Sequence, residues 1–311
     1  MPTESKSVPE RIVDLLYKMA GSHPGSRPVH AKGLVCQGTF RASAEAPRMS
    51  RAEHLRGQPV PATIRFANAN GDPDVHDGQP NVRSMAVKLP VAGGKAADIL
   101  ANSIEGFVAR TPEEFLAFLE AQLPDPATGK PNPDAVPRFL ESHPGAKAFI
   151  GRLMAKPIPA SYAQATYHSE NAFRFTAADG SSRFGRYHWV PEAGEAFLPP
   201  EAGSQRGPNF LREELAERLA RGPVAFRLTL QVAAEGDPTD DPTALWPADR
   251  PTTELGRLEI GSISPTSGAD EQRLIFDPAN VADGIELSAD PILLARSPAY
   301  GVSYARRNPK A

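Results

Sequence analysis

The pattern that most limits the fold of this chain is two groups of short strand-like segments with helices set between them. Residues 33–41, 62–68, 84–89 and 104–109 are rich in β-branched and aromatic side chains and are bounded by Gly, Pro and Asn. A second group follows at 172–176, 183–189, 224–233 and 254–263. Around them the spacing predicts helices. Ile12, Leu15, Leu16 and Met19 recur at helical intervals between Pro9 and Gly21. Thr111, Pro112 and Glu114 form an N-cap, N1 and N3 ahead of Phe115, Phe118 and Leu119. Leu211, Leu215 and Leu219 mark a helix over about 209–221, and another helical patch covers about 134–154. This order lacks regular βαβ alternation, so it predicts an antiparallel α+β fold. About eight strands is also the number that can close a small barrel, although spacing does not establish closure.

Proline is over-represented, at 33 of 311 residues, in pieces such as Pro124-Asp-Pro126 and Leu198-Pro-Pro200, which implies long ordered loops. A composition of 40% hydrophobic and 23% charged residues excludes a disordered or fibrous chain. A formal net charge of -3 supplies no electrostatic footprint for nucleic acid. Cys36 is the only cysteine, which excludes an intrachain disulfide and a cysteine-based metal cluster; a buried inert thiol and a cytoplasmic setting are expected. Residues 1–8 are polar with no apolar core of a signal peptide, and no run of 18 apolar residues predicts a membrane span. Residues 1–26 read as an N-terminal arm with a docking helix, and 27–311 as a single domain.

Several motifs read as structural. The oxygen-rich stretches 71–78 and 235–242 lack the order of a calcium loop, and 92–96 lacks phosphate-loop spacing, so turns and a hairpin loop are expected. His168 and His188 show no metal-binding spacing.

Two segments carry chemistry. In Arg27-Pro-Val-His-Ala-Lys-Gly33, His30 opens into a strand; taken alone, a surface or core histidine is the plainer reading. In Arg296-Ser-Pro-Ala-Tyr300, the two outer residues stand at i and i+4 on a helix for which Asp290 and Pro291 make an N-cap and N1. A neighbouring Arg favours the ionised phenol, by roughly 1 to 3 pKa units for such a pair. Pro298 lies between them and predicts a kink or restart.

Together these segments resemble the haem-containing core of the catalase family, most of all its short catalase-related peroxidases. The resemblance covers about 27–307. It implies an eight-stranded antiparallel β-barrel enclosing haem b, with helices packed around it and no C-terminal helical domain. It carries His30 over as the distal base, from the Arg-x-Val-His-Ala-Lys-Gly string, and Asn102 as the amide beside the peroxide. It places Val29, Phe107 and Phe115 against the porphyrin, and Arg27, Arg65 and Arg307 toward the propionates. Arg296 stands beside Tyr300, the axial ligand of the iron.

This sequence also departs from the family pattern. Asn102-Ser103 replaces an Asn-Asn pair, Ile104-Glu105 replaces Thr-Pro, and Ala67 stands where many members have a serine that bonds the distal histidine. His30 therefore needs another partner.

The activity implied is that of a haem peroxidase: hydrogen peroxide or an organic hydroperoxide is reduced through a ferryl intermediate, which a small organic donor returns to the ferric state. Disproportionation of peroxide, as in a true catalase, is the alternative. Rearrangement of fatty-acid hydroperoxides, a haem carrier or sensor, and an apo binding module are further alternatives. A homodimer or other small homo-oligomer is the expected assembly.

Overall fold

Alternation along the strands decides where the core lies. In the computed structural model, which describes residues 6–308 apart from 22, 126, 127, 131 and 200, the strands are β1 (Gly33–Ala42), β2 (Val60–Asn68), β3 (Arg83–Val91), β4 (Lys95–Asn102), β5 (Tyr167–His168), β6 (Phe173–Thr176), β7 (Ser182–Pro191), β8 (Val224–Val232), β9 (Thr252–Ile263) and β10 (Ile285–Leu287). Residues 1–5 of the expected arm, and Pro126 and Pro200 of the proline-rich pieces, lie outside the described residues. Pairing runs β7-β5-β4-β3-β2-β1-β9-β8, and β8 returns to β7, so eight antiparallel strands close a barrel; β6 extends from β7 and carries β10. Met85, Val87 and Leu89 of β3 point inward with Ala97, Ile99 and Ala101 of β4, while Ser84, Ala86, Leu100 and Asn102 point outward.

The lumen is filled. Phe66 packs against Tyr167 and Phe226 with ring centroids 5.9 and 6.2 Å away, and Phe40 meets Trp189 edge-on at 6.2 Å. Such pairs add roughly 0.5–1.5 kcal/mol each beyond their area burial. At the bulge between β1 and β9, a Cβ on Gly38 would stand 2.3 Å from the Glu259 carbonyl oxygen, so only glycine permits this approach.

The helices are α1 (Val8–Ala20), α2 (Ala46–Met49), α3 (Pro112–Ala121), α4 (Ala135–Ser142), α5 (Pro144–Ala155), α6 (Ala202–Gln205), α7 (Phe210–Arg221), α8 (Ser267–Arg273) and α9 (Pro291–Arg307). Helix α1 packs on α3 and α9, and its Ser7 and Glu10 close a capping box. Among the described residues no helix is long and apolar enough to cross a membrane.

The structure departs from the sequence pattern at several points. The fourth strand is Lys95–Asn102, and 104–109 is a succession of bends. The Ala-rich strand has weak β propensity, and its pairing with β3 overrides that. The helical patch at 134–154 divides into α4 and α5 at His143, which is extended before Pro144. The two-residue strand β5 is too short to leave a pattern. Helix α9 runs unbroken through Pro298; Leu294 and Pro298 are both exposed, so the carbonyl that loses its donor faces water. The loop 92–94 does join the β3–β4 hairpin, and Cys36 is buried in the core with its thiol pushed up to about 12 by burial.

Candidate functional site

Outside the barrel wall, between β3 and β4 on one side and α1, α3 and α9 on the other, lies a cavity with about 1390 Å³ of free space counted to its open mouth. The sequence resemblance placed the cofactor within the barrel, but the packed lumen leaves no room there, and the space occurs against the outer face. All ten expected site residues line this cavity: Arg27, Val29, His30, Arg65, Asn102, Phe107, Phe115, Arg296, Tyr300 and Arg307.

His30 sits just before β1 with φ 56°, and among the described residues it is the one non-glycine residue at positive φ. Such a conformation costs roughly 1–3 kcal/mol and persists only when surroundings impose it. Here Arg65 Nη2 donates to the His30 carbonyl at 2.6 Å, and Ser84 Oγ lies 3.1 Å from His30 Nδ1. Ser84 is the cross-strand partner of Ala67, so the hydroxyl absent from β2 is supplied from the opposite position on β3. With its hydrogen directed to the Ala67 carbonyl at 3.4 Å, Ser84 Oγ can accept from His30 Nδ1–H, and the tautomer assigned on that basis leaves Nε2 as an acceptor. Burial, followed by the charges of Arg65, Arg296 and Arg27, lowers the His30 pKa to about 3. The imidazole is thus neutral at pH 7.

Asn102 closes β4, level with Ser84 on β3 and His168 on β5. Its Nδ2 donates to Glu170 Oε1. His168 in turn faces His188 of β7, with Nδ1 atoms 2.7 Å apart and Glu105 within reach. Burial lowers these two imidazoles to about 3 and about 4, and the cations Lys156 and Arg186 push in the same direction. With Glu105 the two imidazoles bring three ligand atoms within 4.8 Å of one another, a grouping that the sequence spacing of His168 and His188 does not reveal.

On the opposite side, α9 is capped by Asp290, which accepts from the Ile292 and Leu293 amides. One helical turn brings Arg296 to Tyr300, where Nε and Nη2 donate to Oη at 3.1 and 2.9 Å. Burial raises the Tyr300 pKa while Arg296 pulls it back. The net direction is upward, and Arg296 acts in the expected sense, toward the ionised phenol. Burial opposes the charge of Arg296, but Tyr300 and Glu170 outweigh it and hold the guanidinium charged.

Three further guanidiniums meet at the end of α8. Arg27 and Arg65 both pair with Glu271, at 3.0 and 2.6 Å, and Arg27 and Arg307 both donate to the Leu274 carbonyl. Burial, then the charge of Arg65 and that of Arg307, brings Arg27 down to about 8. Phe107 and Phe115 pack against each other at 5.1 Å along the apolar side.

Sequence reasoning missed Ser84, Glu170 and Glu271. The hairpin register between β2 and β3 could have exposed Ser84; the other two carry no local signal.

The catalase family model matches residues 12–309. A catalase-related peroxidase of Mycolicibacterium paratuberculosis is 40% identical over 306 residues, covering 96% of this chain and 94% of that protein. Another, from Synechococcus elongatus, is 34% identical over 300 residues, covering 96% and 88%. A catalase of Mus musculus is 29% identical over 296 residues, covering 90% of this chain and 56% of that protein. In fold, the chain is similar to a fungal catalase with a TM-score of 0.82 at 22% identity, spanning 95% of this chain and 62% of that one. With the barrel, the cavity and these likenesses together, the chain belongs to the catalase family.

Proposed function

We propose that this chain is a haem b-dependent peroxidase that reduces hydrogen peroxide or an organic hydroperoxide at the expense of a small organic donor. The observation that carries the reading is the opposition, across one cavity, of a neutral His30 with Asn102 to an Arg296-supported Tyr300. The peroxidase arm of the reading is favoured by relatives of that name that align over 94% and 88% of their own lengths.

The residues fit haem. Three arginines, the buried Arg65 and Arg307 and the partly buried Arg27, face one carboxylate, Glu271, and after burial the charges of Arg65 and Arg307 add to the depression of the Arg27 pKa. Two propionates would supply counter-charge there through charge-assisted, bidentate contacts. Tyr300 would hold the iron, with Val29, Phe107 and Phe115 against the ring. Cys36 points into the barrel core and cannot form a thioether link, which accords with haem b. When bound, haem supplies a redox-active iron that takes oxidising equivalents from peroxide.

The chain's own groups do the rest. His30 Nε2 accepts a proton from one peroxide oxygen and returns it to the other, while Ser84 holds the ring in the required tautomer. Asn102 donates to peroxide through the amide hydrogen that Glu170 does not use. Arg296 keeps two donors on the Tyr300 oxygen and so favours the phenolate. Residues 27–311 act in this reading as one haem domain with 1–26 as an arm, in a cytoplasmic homodimer or other small homo-oligomer.

A steady-state assay of the haem-loaded protein, following oxygen by electrode and dye oxidation by absorbance, tests the reading beside His30→Ala. Dye oxidation with little oxygen, lost in the variant, is expected. Vigorous oxygen release would transfer the assignment to catalase activity, and silence in both channels would leave a haem carrier or hydroperoxide rearrangement.

A further inference from the structure

The two faces of the cavity share one carboxylate. Glu170, which follows β5, is 7% exposed, and its two oxygens serve different sides: Oε2 accepts from Arg296 Nη1 at 2.9 Å and Oε1 accepts from Asn102 Nδ2. Asn171 completes the clamp. Its Oδ1 accepts from Arg296 Nη1 at 2.8 Å, while its Nδ2 donates to Asp290 Oδ2 at 2.6 Å, which ties the guanidinium to the cap of its own helix.

Resting on the haem reading above, we propose that Glu170 is a positioning residue that aims the Asn102 amide and balances the charge of Arg296, and so tunes the electron donation of Tyr300 to the iron. The argument is one of donors and charge. Arg296 spends Nε and Nη2 on Tyr300, and Nη1 is the arm by which the protein aims that fork. A lone buried guanidinium would draw electron density out of the Tyr300 oxygen. With Glu170 beside it the pair is neutral, and the oxygen keeps its density for the metal. Asp277 acts on Tyr300 in the same sense, but bonds Ser297 instead of Arg296, so it cannot aim the fork. At the other oxygen, Asn102 loses one rotational freedom and presents its remaining amide hydrogen to the cavity.

Glutamine at this position cannot substitute. Its carbonyl can accept from Arg296 or from Asn102, and its NH₂ then confronts the other donor. Aspartate retains the charge at a shorter reach.

The test uses haem-loaded wild type, Glu170→Gln and Glu170→Asp, with Glu286→Gln, from the exposed Arg174–Glu286 pair, as a control for charge removal elsewhere. Spectroelectrochemistry reads the Fe(III)/Fe(II) midpoint potential, and stopped flow reads the reaction with hydrogen peroxide. In Glu170→Gln the potential moves positive and the peroxide reaction slows about tenfold, the low end of what loss of a group supporting a metal site costs. Glu170→Asp recovers most of the potential shift, and Glu286→Gln shows none. Because Glu170 lines the cavity, Glu170→Ala offers a second route: added formate should return its potential toward the wild-type value. Equal shifts in the Gln and Asp variants, or no shift in Gln and no formate response in Ala, would overturn the proposal. A wild-type protein without a phenolate-to-iron charge-transfer band would instead overturn the haem reading itself.

Discussion

The distal and proximal sides of the cavity are built by different means. Tyr300 and Arg296 meet because a helix brings residues four apart together, and the cap that starts that helix is local. His30 and Asn102 meet because strands distant in sequence lie side by side, and His30 takes an unfavourable backbone conformation to do so. The electrostatics differ as well. Proximally, Arg296 is paired with Glu170; distally, burial first and then the charges of Arg65, Arg296 and Arg27 keep the imidazole neutral. The distal side therefore stores backbone strain and excess positive charge, while the proximal guanidinium has its own counter-ion. In the proposed reading, a cofactor with two carboxylates and a metal would complete both.

The sharpest way to break this comparison is Tyr300→Phe. Loss of a ligand should exceed the roughly 10–100-fold cost in affinity of losing a supporting group, so haem retention through gel filtration, read at the Soret band, should collapse. His30→Ala should do the reverse: haem is retained, while the rate with peroxide in stopped flow falls by roughly 10²–10⁴, the range for a general acid–base group. If both variants lose haem equally, the division between binding and proton transfer is wrong. Arg27→Leu removes a charge-assisted contact of about 2 kcal/mol, so haem affinity by titration should drop about 30-fold with little change in peroxide rate once loaded.

Smaller effects sharpen the distal account. Ser84→Ala removes a hydrogen bond of about 1 kcal/mol and should slow the peroxide step about fivefold. The double variant Ala67→Ser with Ser84→Ala should recover part of that loss, because the two positions are directly opposed.

pH separates activity from stability. Burial lowers His30 and His168 to about 3 and His54 and His188 to about 4, below the ordinary value near 6.5. The unfolded chain thus binds more protons between these values. The stability these groups contribute is complete above about pH 6.5 and is lost as pH falls toward 3. Thermal melts should show that decline while the fraction of neutral His30, and the peroxide rate of still-folded protein, stays level to about pH 4. A rate that follows a pKa near 6.5 would contradict the buried environment of His30.

Much of this is legible in the amino-acid sequence. Helix α9 could be read from Asp290, Pro291 and the Arg296–Tyr300 interval, since caps and i, i+4 contacts are local properties of a helix. The strand-rich order pointed to an antiparallel fold, and the residue strings at 27–33 and 296–300 pointed to the family. The limits were physical too. Strand β4 is poor in β-branched residues, and the pairing with β3 determines its state. Pro298 forecast a break that solvent on the outer face of α9 makes unnecessary.

Periodic elements, their caps and the residue types available for chemistry can be read from the chain alone, because these depend on neighbours within a few positions. Tertiary structure alone decided that β8 would close on β7 and fill the lumen, leaving the cavity outside the wall. It also decided that Ser84 would stand in for the hydroxyl missing at Ala67, that Glu170 would join Asn102 to Arg296, and that Glu271 would gather Arg27 and Arg65. Each of those contacts joins segments far apart along the chain, and hydrogen bonds and charges act over ångströms in space, whatever the separation in sequence.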